Sequence, residues 1–199
     1  MASRQFPATQ RFHKTLRFTA VAAIFLGGCA TLQRGSVHGI PHFQQVDEGL
    51  YRGGQPSADG FRHLSLLGVK TIISLRAEAG RRRIADRRLV ESLGMKWVQL
   101  PMHSLWRPSD AQVRTFLRIA LETRHRPVFL FCRRGEDRTG ALIAIYRIVH
   151  EGWEPQRAYE EALSLGLARW NPFMRQVILH AQKKYGPQPL QSKLAEKSP

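Results

Sequence analysis

Cys132-Arg133-Arg134-Gly135-Glu136-Asp137-Arg138-Thr139-Gly140 is the stretch from which the rest of the chain can be read. Before it stands a short apolar run, Pro127 to Phe131, with the length of a buried strand. After it, from Arg138 to His150, the pattern is apolar almost all round, with Leu142, Ile143, Ile145, Tyr146, Ile148 and Val149. That pattern predicts a helix buried in the centre of a domain. A loop between a strand's carboxyl end and a helix's first turn can aim several backbone N–H groups at one point, a nest for an anion. Gly135 has the backbone freedom that such a nest requires.

Outward from this loop, strand-like and helix-like segments alternate. Phe43 to Arg52 reads as extended or as a small hairpin turning at Asp47-Glu48-Gly49. Ser57 can cap a helix carrying Phe61, Leu64 and Leu67, which Gly68 stops. Val69 to Leu75 is rich in β-branched residues and reads as a buried strand. An arginine-rich helix with an Ala85, Leu89, Leu93 stripe ends at Gly94, and Met95 to Leu100 is a further strand. Ser109 and Gln112 form a capping box for a helix with Val113, Phe116, Leu117, Ala120 and Leu121 on one face. Two more helices follow, with Pro155 and Pro172 in their first turns and Asn171 as a cap. The expectation is an α/β fold, a central, mainly parallel or mixed sheet flanked by helices on both faces. In such sheets ligands bind beyond the carboxyl ends of the strands, where Cys132 stands.

A cysteine after an apolar strand is most often core filling. Here the spacing argues for chemistry. Converging amides, with Arg138 nearby, favour the thiolate over the thiol. Arg138 offers a planar fork to two oxygens of a phosphate and can follow the charge that develops on them. Thr139 brings a hydroxyl to support the sulfur. The backbone and side chains of Arg133, Arg134, Gly135, Glu136, Asp137 and Arg138 are therefore the candidate phosphate site, with Cys132 as nucleophile. Arg133 and Arg134 either enrich the pocket for multiply charged phosphates or face solvent beside Glu136.

At Cys132, Gly135, Arg138 and Thr139 the chain resembles the cysteine-dependent tyrosine and dual-specificity phosphatase superfamily, whose loop is cysteine, five residues, arginine, then serine or threonine. Leu50-Tyr51-Arg52-Gly53-Gly54-Gln55-Pro56 is similar to a segment near the start of its small atypical and bacterial members. The resemblance covers roughly residues 40–185. It implies that Cys132 attacks phosphorus, that water then releases phosphate, and that no metal or other cofactor takes part. His38 and His42 are four apart, but Gly39 and Pro41 oppose a ligand-bearing helix there.

Two departures stand out. The family carries histidine just before the nucleophile, where this chain has Phe131. It also carries an aspartate as general acid after the preceding strand, where this chain has Pro101-Met102-His103-Ser104. Substitutes rank as Asp137, then Asp110, then His103. For Asp110 the helix dipole alone explains an acid in a first turn.

The ends carry a separate message. Residues 1–28 have a basic start (Arg4, Arg11, Lys14, Arg17) and a short apolar run, the anatomy of a secretory signal and too short for a membrane span. Leu26-Gly27-Gly28-Cys29 resembles the bacterial lipobox, which implies cleavage before Cys29 and acylation of that residue. The expected organisation is signal at 1–28, linker at 29–39, phosphatase domain at 40–185 and a disordered tail at 186–199. The expected location is the cell envelope, lipid-anchored, with Ala30 favouring the periplasmic face of the outer membrane. With Cys29 spent on the anchor, Cys132 is the single remaining thiol, so no disulfide framework exists. The net charge of +16 favours anionic partners. For an exported chain without a recognition module these are not nucleic acids but phosphorylated proteins or small phosphate esters, and lipid headgroups. Three readings stay open: a protein phosphatase, an inositol phosphate or phosphoinositide phosphatase of the same mechanism, and a phosphate-binding scaffold without turnover.

Overall fold

Strand β7 (Val128–Phe131) lies in the middle of a five-stranded sheet, and all four of its residues are buried. The computed structural model describes residues 36–186. The expected signal, Cys29 and all but the first residue of the expected tail lie outside the described residues. A strand covered on both faces has no polar side, which is why the run reads as continuously apolar. On one flank β7 pairs in parallel with β4 (Leu50–Gly53), which pairs antiparallel with β3 (Gln44–Asp47). On the other flank it pairs in parallel with β5 (Thr71–Ser74), and β5 with β6 (Lys96–Gln99). A separate two-stranded ribbon, β1 (Ser36–Val37) and β2 (Ile40–Pro41), precedes them.

Helices cover both faces, as the alternation predicts. One apolar layer holds Phe61 and Leu64 of α1 (Ala58–Leu66) and Val90 of α2 (Arg81–Ser92), packed on Ile72, Phe129 and Phe131. The opposite layer is built on α3 (Asp110–Leu121), α4 (Asp137–His150), α5 (Pro155–Ser164), α6 (Pro172–Leu179) and α7 (Ala181–Tyr185). In α4 ten residues are buried, because α3, α5, α6 and α7 all pack against it. Ser57, Ser109 and Asn171 cap their helices through their side chains, and the Ser109–Gln112 capping box closes in both directions. Three details differ from the sequence expectation. Leu67 is the C-cap of α1 and exposed, so the buried face of that helix is Phe61 and Leu64. Ala85 is exposed and Val90 is the one buried residue of α2, since this helix leans on an edge strand and needs a narrower apolar stripe. Leu121 is 38% exposed, so the buried face of α3 ends at Ala120.

Far from the cysteine loop along the sheet, the β3–β4 turn is locked to α4. Asp47 accepts hydrogen bonds from the Gly49 amide, the Tyr146 hydroxyl and the Arg126 guanidinium, and Arg126 also donates to Tyr146. Burial alone would raise the Asp47 carboxyl, yet these donors and the Arg126 charge outweigh it and hold the group below its ordinary value. Burial and the same carboxylate push Tyr146 up to about 12. Because folding lowers the Asp47 value, its stabilisation is complete above about pH 4 and is lost as pH falls through the folded value. Tyr146→Phe should cost about 1–2 kcal/mol in urea unfolding at pH 7. Asp47→Asn should also destabilise at pH 7, and its difference from the unsubstituted protein should shrink on acidification below about pH 4.

Candidate active site

Strand alternation decides which side of the sheet each residue at the end of β7 serves. Phe129 and Phe131 point into the α1–α2 layer, while Leu130 and Cys132 face the α4 layer. Phe131, in place of the family's histidine, is accordingly a core ring, with centroids 6.2 Å from Phe61 and 5.9 Å from Trp97.

The loop from Cys132 to Glu136 then folds over the sulfur. Gly135 donates its N–H to Cys132 Sγ at 3.2 Å. Cys132 is 2% exposed, so the sulfur forms the floor of the loop. Gly135 has φ +83°, a left-handed conformation costly for any residue with a Cβ. It also packs directly on backbone, since a Cβ there would lie 2.5 Å from the carbonyl carbon of Gly53 and 2.6 Å from the nitrogen of Gly54.

Strand β4 and the segment after it fasten the loop from outside. The Gln55 amide donates to the Arg133 carbonyl at 3.1 Å, and Arg52 Nη2 donates to the Gly135 carbonyl at 2.6 Å. In a trans peptide the C=O and N–H point opposite ways. Holding these two carbonyls outside therefore turns the N–H groups of Arg134 and Glu136 toward the loop's interior. No side chain caps the first turn of α4, so its amides too are left for an anion.

Arg138 sits in the first turn of α4 and is buried. Its Nη1 donates to the carbonyls of Leu75, at 3.3 Å, and Met102, at 3.2 Å, fixing the guanidinium between the end of β5 and the β6–α3 connection. Among the described residues its Nε and Nη2 have no protein acceptor, which leaves an edge of the fork for oxygens of a ligand. Thr139 is fully buried and its Oγ1 has no partner, so the expected support of the sulfur by this hydroxyl is not made as a hydrogen bond in the ligand-free loop.

The remaining candidates separate. Arg133 is exposed. Arg134 turns back on the loop's own acids, with Nε against Glu136 Oε2 and Nη2 3.6 Å from Asp137 Oδ2. Asp137 stands beside Arg138 and its Oδ1 accepts the Ala168 amide at 2.8 Å, tying α4 to the connection before α6. Asp110 is held by Lys184 and by the Tyr185 hydroxyl at 3.0 Å. These two partners keep its carboxyl below the ordinary range, the wrong direction for a proton donor at neutral pH. Asp110 is therefore a clamp between α3 and α7. His103 is exposed, one residue beyond the Met102 carbonyl that receives Arg138.

Sequence reasoning did not place Arg52 in the site. The signal was present: one charged residue inside the otherwise apolar Leu50-Tyr51-Arg52-Gly53, two positions from Leu50 and so on the same face. Next to the loop, and sharing Gln55 with it, is a cleft of about 240 Å³ lined by Arg76, Glu78, Arg82, Asp86 and Trp97. Gln55 joins its walls, accepting from Arg76 at 2.6 Å and donating to Asp86 at 3.1 Å.

A family model described as DSP-PTPase phosphatase fused to NAD+ kinase matches residues 35–176. The chain belongs to this family. It is 37% identical over 113 residues to the dual specificity protein phosphatase TpbA of Pseudomonas aeruginosa, covering 56% of this chain and 49% of the relative. It is 30% identical over 110 residues to the inositol diphosphatase DSP2 of Oryza sativa subsp. japonica, covering 53% of each. The chain thus spans about half the length of these curated relatives. Among solved structures, P. aeruginosa TpbA superposes with a TM-score of 0.59 at 28% identity, covering 71% of this chain and 87% of that one. The core catalytic domain of the PP-IP phosphatase SIW14 from S. cerevisiae gives 0.64 at 24% identity, over 81% and 95%, a likeness of fold.

The packing makes one substitution decisive for the loop. Gly135→Ala should weaken binding of tungstate, an inert phosphate mimic, by roughly tenfold or more in calorimetry, because it adds a Cβ where backbone already stands. Near-UV dichroism of the aromatic layer should persist.

Proposed function

We propose that the protein is a metal-independent phosphatase of the tyrosine and dual-specificity kind, hydrolysing phosphate monoesters through a phosphocysteine. The observation that carries this reading is the loop itself: Cys132 Sγ under the Gly135 amide, with Arg138 pinned at the first turn of α4. The thiolate attacks phosphorus, the S–P bond forms, and the P–O bond to the leaving group breaks as that oxygen takes a proton. Asp137, adjoining Arg138, supplies the proton in this reading. Water then attacks phosphorus, its proton goes to Asp137, the S–P bond breaks, and phosphate leaves with the thiolate restored. Arg138 and the loop amides hold the equatorial oxygens throughout.

Support comes also from the relatives. One solved structure is a Cys-to-Ser variant of TpbA in complex with phosphotyrosine, at 27% identity to this chain. Phosphotyrosine is accordingly the first substrate class for assay. The arginine-lined cleft beside the loop favours a second reading, an inositol phosphate substrate with several phosphates, as do the plant relatives named inositol diphosphatases.

With chelator present, the full chain should hydrolyse phosphotyrosine peptides, and Cys132→Ser should lose roughly a thousandfold or more. Asp137→Asn should slow esters with poor leaving groups far more than those with good ones; equal rates would remove Asp137 as the acid. A preference for inositol polyphosphates over peptides would move the assignment to the second reading. Loop binding with no covalent burst and no turnover would leave a scaffold.

We further propose that the chain is exported and anchored by a lipid on Cys29, placing the domain in the cell envelope at the periplasmic face of the outer membrane. The lipobox-like Leu26-Gly27-Gly28-Cys29 motivates this. On expression in a Gram-negative bacterium, Cys29→Ala should abolish labelling by a fatty-acid probe and shift the protein out of the outer-membrane fraction. Labelling equal to the unsubstituted chain would overturn the anchor.

A further inference from the structure

Among the described residues Arg52 is the largest of the fully buried side chains, 2% exposed, on β4 beside the central strand. Its Nη2 is accounted for by the Gly135 carbonyl. Its Nη1 is buried with no hydrogen-bond partner. A buried guanidinium with an idle nitrogen is costly, and chains normally match it with a carboxylate. None is hydrogen-bonded to it among the described residues. Glu161, the carboxylate whose field reaches it, is already bound by Arg147 Nε and Nη2, at 3.3 and 3.1 Å.

The alternation of β4 and β7 places Arg52 in register with Leu130, on the face that also carries Cys132. The fold thus leaves a desolvated cation on the face of the sheet that also carries the Cys132 sulfur, bonded to the loop through the Gly135 carbonyl. On the opposite side of β7, Phe131 holds the position where a histidine would lend charge, and it is apolar.

We propose that Arg52 is a positioning residue that favours the Cys132 thiolate from beneath the phosphate loop and, through the Gly135 carbonyl, keeps the loop's amides turned inward. The proposal rests on the phosphatase reading of the same site. Burial lowers the Arg52 value to about 10, with Glu161 and the Cys132 thiolate opposing that fall and Arg147 adding to it. The side chain therefore stays a cation at neutral pH. The other charges around the thiol are Arg138 of α4, the Arg147–Glu161 pair between α4 and α5, and the loop groups Arg133, Arg134, Glu136 and Asp137. His42, after β2, stands 3.7 Å from Glu136. Of these, Arg52 and Arg138 are buried cations without a carboxylate of their own among the described residues.

The test separates charge from hydrogen bonding and does not require turnover. The rate of iodoacetamide reaction with Cys132 is followed from pH 5 to pH 9 in the full chain with Cys29→Ala, so that one thiol remains. Arg52→Gln keeps an N–H donor and loses the charge, and Arg52→Lys keeps the charge. Expected is a roughly tenfold slower reaction at pH 6 for Arg52→Gln, converging on the parent rate by about pH 9, with Arg52→Lys within about threefold at every pH. Thermal melts are run alongside. If Arg52→Gln does not fold, Arg52→Lys decides: a rate near the parent's at pH 6 supports the proposal, and a tenfold loss refutes it. Parent-like profiles for both variants would also refute it. Because alkylation is read without a substrate, a parent that alkylates as described but hydrolyses no phosphate ester would sink the catalytic reading alone.

Discussion

The site depends on two stretches of backbone meeting with nothing between them. Gly135, at φ +83°, lies against the peptide joining Gly53 and Gly54, and a Cβ on Gly54 would in turn lie 2.9 Å from the Arg134 carbonyl oxygen. Only at this separation can the Gln55 amide and the Arg52 guanidinium reach the outward carbonyls of the loop. Those bonds orient the inward amides, and the amides define where an oxyanion can sit. A loop of five residues has too little internal bonding to keep such a shape by itself. The neighbouring strand supplies the constraint, which is a property of the fold rather than of the motif.

The sheet divides the labour between its faces. One layer is aromatic, built from Phe61, Trp97, Phe129 and Phe131, and is purely cohesive. The other carries Cys132, Arg52 and the buried helix α4, and so combines packing with chemistry. The period-two geometry of a strand enforces this, because consecutive residues cannot share a face. Phe131 and Cys132 are neighbours in sequence but belong to different layers, so the aromatic ring packs with Phe61 and Trp97 on the side away from the sulfur.

Charge follows a similar division. A net charge of +16 supplies cations enough to crowd the site, yet Arg134 spends itself on Glu136 and Asp137, and most arginines of α2 project into solvent. Arg138 and Arg52 are the cations built into the interior of the site. Exposed pairs such as Arg87–Glu91 contribute little to stability, whereas a buried, oriented guanidinium acts through a low dielectric and dominates locally. The basic exterior and the arginines of the cleft beside Gln55 can contribute to the loop only through longer-range, salt-screened fields.

Much of this architecture is legible in the order of the amino acids. The apolar Val128–Phe131 run, the capping box at Ser109 and Gln112, Asn171 ahead of Pro172 and the buried pattern of α4 are local signals, and each element forms where its period and cap place it. Cys132 and Arg138 are legible too, because a loop between strand and helix fixes their spacing within one short segment. What no local pattern could decide was which distant groups close on that segment. Arg52 lies 83 residues from the carbonyl it holds, Asp110 meets Lys184 and Tyr185, and Asp137 meets the Ala168 amide. Sequence alone determined the elements and the pairing of Cys132 with Arg138 on one loop, since both arise from interactions among near neighbours. The tertiary structure decided that Asp110 is spent as a clamp and that Arg52 holds the Gly135 carbonyl of the loop, since those depend on strand order, register and the packing of remote parts of the chain.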